Sequence, residues 1–268
     1  MNRPKPLFLI AGGSPRDPKG IVSYMARTLQ ECGRKEPRVA YLGMANGDSM
    51  PFYLSIRSLL QQAGAGDVSL VRLARTTVDL DAAKQALETA DAIYLSGGEV
   101  EDGMRWLEQH GLVGFLNEMR NQGKLFLGMS AGSIMMGTHW VRWKNPNDDA
   151  TAELFDCLGF APTTFDIHAE DEDWKELKMA LTLQGPGARG YGIPSGGMVS
   201  VDGQGQIIAI PIKAMVDPDA VFLDNLADGI HEALEEMKRE GIPLPPRPIR
   251  NPALDRLRAE DEARAKRR

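Results

Sequence analysis

A serine stands between two glycines in the stretch KLFLGMSAGSIMMG, residues 124–137. Gly128, Ser130 and Gly132 form a G-x-S-x-G pattern where an apolar run gives way to a helical one. Such a tight strand-to-helix turn projects the serine hydroxyl above a sheet. The backbone N–H of Ala131 would then lie at a helix N-terminus and could donate to a developing oxyanion. The pattern predicts a nucleophile, although a serine that only caps the helix would leave the same pentapeptide.

A second glycine-rich turn lies upstream, in YLSGGEVEDGMRWLEQHGL, residues 94–112. Here an apolar run ends in Gly97 and Gly98. If the two strands are parallel neighbours, this turn reaches the same carboxyl edge of the sheet, which is where ligands bind in such folds. The N–H of Gly98 could therefore be a second oxyanion donor, although paired glycines are common in such turns.

The chain has four histidines and two cysteines, with no C-x-x-C pair. These numbers predict neither a disulfide framework nor a metal-ligand cluster, and we expect no metal and no cofactor. His168 is a candidate general base or a structural histidine at a strand end. His139 is its rival, but it lies in the alternating stretch THWVRW, and His110 and His231 lie in helical contexts typical of surface positions.

Short apolar runs alternate with amphipathic stretches over the first half of the chain, which is typical of a parallel sheet with crossover helices. We predict a doubly wound α/β fold with flanking helices. The predicted strands are residues 7–11, 38–43, 67–73, 92–96 and 125–129. The predicted helices, from apolar spacings of three and four, are residues 21–32, 52–63, 79–90 and 114–122.

The pattern changes after Gly137. We expect irregular and antiparallel structure there, including a hairpin around Asp202 and Gly203, covering one end of the sheet. These residues complete an α/β domain over residues 1–215. Residues 216–268 form a helical and Pro-rich C-terminal extension, which could be a solvated appendage or a docking arm for a homo-oligomer.

The formal net charge of −6 argues against nucleic-acid or anionic-membrane binding, because both need a basic face. No apolar segment approaches the roughly 20 residues that span a bilayer. The N-terminal apolar stretch is also too short for a convincing signal peptide. We expect a cytoplasmic protein whose partner is a small molecule or another protein.

From Leu7 to about Val201 the chain resembles the serine peptidases of the dipeptidase E and cyanophycinase family, whose domain is class I glutamine amidotransferase-like. Three segments carry the resemblance: residues 94–112, the GxSAG elbow at 123–137, and LFDCLGFAPTTFDIHAE at 154–170. The resemblance implies hydrolysis of a small peptide or amide through an acyl-enzyme. It implies Ser130 as nucleophile and His168 as base, with oxyanion donors at Gly98 and Ala131.

One departure concerns the acid that orients the histidine. The resembled family takes it from a Pro-Glu-Gly turn, whereas this chain reads YGIPSGGMVSV and has Ser195 in that place. Losing the charge of a triad acid costs about four orders of magnitude in other serine enzymes. Three outcomes stay open: a Ser-His dyad with Ser195 as a neutral orienter, a recruited carboxylate, or a catalytically silent binding or regulatory protein. The candidate carboxylates are Asp148, Asp166, Glu170, Asp171 and Asp202.

A second departure concerns charge near the expected pocket. Glu99 follows the oxyanion glycines, and residues 170–176 read EDEDWKE. An acidic rim would favour a cationic substrate over an aspartyl one. The same run could instead be a solvated helix start, where Asp and Glu are favoured.

Overall fold

The computed structural model describes residues 4–12 and 18–210. These residues lie within the α/β domain predicted for residues 1–215. The extension predicted for residues 216–268, with its possible role in a homo-oligomer, lies outside the described residues, as does His231. Both therefore stay predictions from the sequence.

The strands of the described part of the chain are β1 Leu7–Ile10, β2 Val39–Leu42, β3 Val68–Val71, β4 Ala92–Leu95, β5 Leu125–Met129, β6 His139–Trp143, β7 Ala152–Asp156, β8 Thr164–Ile167, β9 Gly190–Ile193, β10 Met198–Val201 and β11 Ile207–Ala209. A seven-stranded sheet has the order β11-β10-β1-β5-β4-β2-β3. Its parallel part, β1 to β5, consists of the strands predicted from the apolar runs. The predicted doubly wound α/β fold is confirmed.

The helices are α1 Pro18–Gln30, α2 Met50–Gln62, α3 Leu80–Thr89, α4 Val100–Gln109, α5 Leu112–Asn121, α6 Ala131–Ile134 and α7 Lys175–Gln184. The four helices predicted from apolar spacing are all present, with ends shifted by a few residues. The parallel strands are buried on both faces because helices cover both. Leu9 and Leu95 pack into one core, whereas Ile10 and Tyr94 pack into the other.

The carboxyl ends of β4 and β5 meet at the centre of the sheet, with Leu95 paired to Gly128. The turn after β4 therefore lies against the turn after β5. A Cβ atom on Gly97 would come within 3.2 Å of the Ser130 Cβ. The topology thus brings together the two glycine-rich turns, which lie more than thirty residues apart along the chain.

The second half of the chain adds strands of two kinds. β10 and β11 extend the main sheet as an antiparallel edge, with the hairpin that the sequence predicts. β6 and β7 form a separate antiparallel ribbon. β8 and β9 pair in parallel across α7, with Ile167 opposite Ile193. This parallel pair was not predicted, because two short strands separated by a helix carry no local signal of their pairing.

Candidate active site

Ser130 occupies a strained turn at the carboxyl end of β5. Its backbone has φ 50° and ψ −122°, a region that side-chain-bearing residues rarely adopt. The flanking glycines are needed because a Cβ on Gly128 would overlap the Gly132 carbonyl, and one on Gly132 would overlap the Leu95 carbonyl. The Ser130 N–H donates to the Ile10 carbonyl at 3.0 Å, which ties the turn to β1. The hydroxyl is thereby held above the sheet edge.

His168 follows β8 directly and faces this serine. Its Nε2 lies 3.0 Å from the Ser130 Oγ, within hydrogen-bond distance. The backbone N–H of His168 donates to the Ile193 carbonyl at 2.9 Å, and its φ is 48°. The pairing of β8 with β9 therefore sets where the imidazole stands. The distance lies within the range that a nucleophile and its general base require.

The two expected oxyanion donors line the same cavity as Ser130. Ala131 is the first residue of α6, so its N–H has no acceptor within the helix. Gly98 has φ 143°, and a Cβ there would overlap the Ala45 carbonyl, so this position needs glycine. The next N–H, of Glu99, donates to the same carbonyl at 2.7 Å and anchors the turn.

Asn46 supports the turn after β4, and the sequence analysis missed it. Its Nδ2 donates to the Gly97 carbonyl at 3.0 Å and to the Ser96 Oγ at 3.0 Å. The Tyr41 hydroxyl donates to the same Ser96 Oγ at 2.8 Å. Asn46 follows β2, which is the neighbour of β4 in the sheet. The loops after neighbouring parallel strands reach the same edge of a sheet. This rule, applied to the loop after β2, would have indicated Asn46 from the sequence.

Ser195 contacts Glu170. The Ser195 N–H donates to the Glu170 Oε1 at 3.0 Å. Burial raises the pKa of Glu170, but the hydrogen bonds and the nearby His168 outweigh it, so the pKa falls below its ordinary value. Among the described residues, the hydrogen-bond partner of the His168 ring is Ser130 alone. Glu170 therefore makes no hydrogen bond to the His168 ring, although the nearby His168 helps to lower the pKa of Glu170.

The other carboxylates considered as a recruited acid are placed differently. Asp148 caps the N–H of Ala150, and Asp202 accepts two N–H groups within its own hairpin. Asp171 does not line the cavity. Asp166 lies close enough to His168 for the two charges to interact, and its pKa is raised by burial. Two of the five candidates, Asp166 and Glu170, therefore interact electrostatically with the histidine.

The cavity at Ser130 and His168 has a volume of about 420 Å³, which is within the usual range for a small-ligand site. Its walls combine aromatic with acidic side chains. The aromatic residues are Trp140, Trp143 and Phe155, and the carboxylates are Glu99, Glu101, Asp166, Glu172 and Glu176. Arg142 also lines it, but its guanidinium pairs with Glu101 at 2.9 Å and Glu153 at 2.8 Å.

The other histidines of the described chain lie elsewhere. His139 Nε2 is 3.4 Å from Asp156 Oδ1, and His139 does not line the cavity. His110 is half-buried rather than fully on the surface, since its Nε2 is 2.9 Å from the Leu73 carbonyl. No cluster of His, Cys, Asp and Glu among the described residues could hold a metal ion. Nor does the described part include a helix long and apolar enough to cross a membrane.

The fold and the elbow are those of a serine-peptidase-like α/β protein, and comparison with known proteins identifies the family. Peptidase family S51 matches residues 7–209. The chain belongs to peptidase family S51, in agreement with the resemblance seen in its motifs.

Individual relatives agree with this family. Peptidase E from Shewanella denitrificans is 31% identical over 85 residues, which span 32% of this chain and only 36% of that relative. A candidate peptidase E from Listeria monocytogenes EGD-e has a similar structure, with a TM-score of 0.58 and 17% identity over 80% of this chain and 100% of its own. A peptidase from an acI-B1 actinobacterium has a TM-score of 0.54 and 12% identity, covering 77% of this chain and 88% of its own. At these identities the two solved structures support the fold alone.

Proposed function

We propose that the protein is a serine peptidase of the dipeptidase E type that cleaves a small peptide or amide through an acyl-enzyme. The observation that carries the proposal is the 3.0 Å distance between the Ser130 Oγ and the His168 Nε2, at a strained strand-to-helix turn. Membership of peptidase family S51 supports it. In this proposal Ser130 is the nucleophile and His168 the general base.

In the first half-reaction the Ser130 Oγ attacks the scissile carbonyl carbon while its proton passes to the His168 Nε2. The N–H groups of Gly98 and Ala131 donate to the oxygen that becomes negative. The C–N bond then breaks, and His168 returns the proton to the leaving amine. Water then attacks the ester while one of its protons passes to the His168 Nε2. The bond to the Ser130 Oγ breaks, His168 returns that proton to the Oγ, and the acid is released.

Glu170 is the proposed replacement for the missing acid of the triad. It acts as a positioning residue, because its charge favours the imidazolium that forms when His168 takes the proton. Ser195 holds this carboxylate with its backbone N–H. The serine at this position thus has a role other than orienting His168 directly, and the site keeps a negative charge near the base.

Labelling with a fluorophosphonate probe tests this proposal, because the probe reacts only with an activated hydroxyl. We expect the full chain to be labelled at Ser130. Ser130→Ala abolishes labelling, His168→Ala slows it at least about a hundredfold, and the matched control Ser58→Ala on α2 labels like the unmodified protein. A folded protein that is not labelled would be a catalytically silent binding or regulatory protein, and the proposal would be wrong.

A further inference from the structure

We propose that four carboxylates in the cavity, Glu99, Asp166, Glu172 and Glu176, form a subsite for the cationic side chain of an arginyl or lysyl residue beside the scissile bond. We call these residues the acidic wall. The inference rests on the proposed function, since it names the substrate class of that same site. It adds a specificity that the family comparison does not supply.

The acidic wall is assembled from separate parts of the chain. Glu99 follows β4, and Asp166 lies on β8. Glu172 ends the 3₁₀ turn Glu170–Glu172, and Glu176 lies in the first turn of α7. All four line the cavity that contains Ser130 and His168. They are close enough to repel one another: burial, together with the other three carboxylates, raises the pKa of Glu176 to about 7. Such repulsion is relieved when a cation binds among them.

Asp166 provides a second, independent observation, because one of its carboxylate oxygens is unpaired. The residue is only 2% exposed. Its Oδ1 accepts the Ile167 N–H at 2.7 Å, whereas its Oδ2 is buried without a hydrogen-bond partner. A buried carboxylate oxygen without a donor is costly. Because Asp166 lines the cavity, a donor on the substrate can supply that bond.

The nearby protein cations are engaged elsewhere. Arg142 is paired with Glu101 and Glu153. Lys175 lies 3.3 Å from Asp149 and above the Trp143 ring, at 5.8 Å from its centroid. Within the described part of the chain, Glu99, Glu172 and Glu176 make no side-chain ion pair or hydrogen bond. Their charge is therefore available to a substrate.

The aromatic walls fit the rest of such a side chain. Trp140 and Trp143 on β6 and Phe155 on β7 all line the cavity. Trp140 is buried, and the other two are half-buried. Lys175 and Arg142 lie over the rings of Trp143 and Phe155. The remaining apolar surface of these side chains suits the methylene stem of an arginine or lysine. A cavity of about 420 Å³ suits a dipeptide better than a long chain. We therefore commit to small peptides that contain arginine or lysine.

Matched dipeptides provide the test. We compare kcat/KM for arginyl-alanine with its neutral isostere citrullyl-alanine, for lysyl-alanine with norleucyl-alanine, and for aspartyl-alanine, each also in the reverse order. We expect the cationic peptide of each pair to be preferred about tenfold or more at low ionic strength, and less in high salt. An equal rate for both members, or a preference for aspartyl peptides, would overturn the acidic wall as a cation site.

Variants locate the effect. The double variant Glu172→Gln/Glu176→Gln should lower the arginyl-to-citrullyl ratio by about tenfold. Asp171→Asn removes a charge from the same acidic run outside the cavity, and it should leave the ratio unchanged. Equal effects of the two changes would mean that long-range charge, not the subsite, causes the preference. Circular dichroism and fluorophosphonate labelling check that each variant is folded and that Ser130 is reactive.

Calorimetric titration separates this inference from the proposed function. Argininamide should bind the Ser130→Ala variant and bind about tenfold more weakly when Glu172 and Glu176 are also Gln. Citrullinamide should bind equally to both. If argininamide binds selectively but fluorophosphonate does not label the unmodified protein, the proposed peptidase function is wrong and the cation site is still supported. Labelling without any preference for the cation would overturn the cation site alone.

Discussion

The turn that carries Ser130 can form only because its two flanking residues, Gly128 and Gly132, have no Cβ atom. The turn after β5 has no room for a side chain at Gly128 or Gly132, since a Cβ on either would overlap a backbone carbonyl. A flexible side chain could move aside, but a backbone carbonyl can move only if the chain around it moves as well. The G-x-S-x-G pattern is therefore a steric requirement of this fold as well as a signature of chemistry.

Gly132→Ala should unfold at a lower temperature and lose fluorophosphonate labelling, because its methyl group displaces the Leu95 carbonyl. We expect a loss of at least about 2 kcal/mol in the free energy of unfolding, typical of overpacking a rigid site. Gly114 on α5 is the matched control, with nothing within 4 Å of an added Cβ. Gly114→Ala should raise stability by about 0.5–1 kcal/mol. Urea titration measures both, and equal effects would contradict the steric argument.

A second prediction at the scale of a single residue concerns the negative charge of Glu170. Glu170→Gln keeps the shape but removes the negative charge near His168. We expect kcat to fall about tenfold, or 1.4 kcal/mol of transition-state stabilisation, with KM little changed, because the imidazolium forms only in the transition state. A purely structural role would change KM and kcat together.

Exchanging the two residues provides the complementary variant. Ser195→Glu alone sets a second carboxylate against Glu170, and the two repel each other. The double change Glu170→Gln/Ser195→Glu avoids this repulsion and should recover activity relative to Glu170→Gln. If it recovers none while the fold is kept, the charge at this place does not act on His168.

At the scale of elements, the loops after β2 and β4 work as one unit. Asn46, in the loop after β2, bonds both Ser96 and Gly97, so it fixes the turn that presents the Gly98 N–H. The pairing of these two strands makes the contact possible. The β8–β9 pair does the same for His168, through the Ile193 carbonyl.

Asn46→Ala should therefore lower kcat about tenfold with a smaller change in KM. The variant loosens the turn that holds the Gly98 N–H, and the hydrogen bond from this N–H matters most in the transition state. Asn121→Ala, at the exposed end of α5, is the control and should be neutral. Steady-state kinetics on the same dipeptide measure both. Unchanged kinetics for Asn46→Ala would show that the turn after β4 holds its shape unaided.

At the scale of the whole molecule, Glu176 couples stability to pH. Burial and the charges of Asp166, Glu172 and Glu99 raise its pKa from an ordinary 4.5 to about 7, while Lys175 opposes the rise. The folded protein therefore holds this proton more tightly than the unfolded chain. The bound proton on Glu176 contributes fully to the free energy of unfolding below pH 4.5. This contribution is lost as the pH rises through about 7.

We expect the urea midpoint of the unmodified protein to fall relative to that of Glu176→Gln as the pH rises from 4.5 through about 7, and the difference to level off once the pH is well above 7. Glu176 is exposed, and solvent screens its charge, so the effect is small. Glu118→Gln on α5, outside the cavity, is the control and should follow the unmodified protein. A rising midpoint over this interval would contradict the assigned direction of the pKa.

The sequence by itself determined the parallel strands, most helices and the serine turn, whereas His168 was indicated as a base only by the resemblance to a known family. Each of these has a local signature: an unbroken apolar run, a spacing of three and four, or small residues around Ser130. Such patterns depend on neighbours along the chain, and the contacts that produce them are short-range. The match to the motifs of peptidase family S51 has the same local origin.

Only the tertiary structure decided which carboxylates share the cavity. Glu99 lies far along the chain from Asp166 and Glu176, and local sequence does not encode how these segments approach each other. Among the candidate acids, spacing singled out none, whereas the pairing of β8 with β9 brings Ser195 to Glu170. Long-range strand pairing and packing create these contacts, and the charges that they concentrate near Ser130 follow from the fold as a whole.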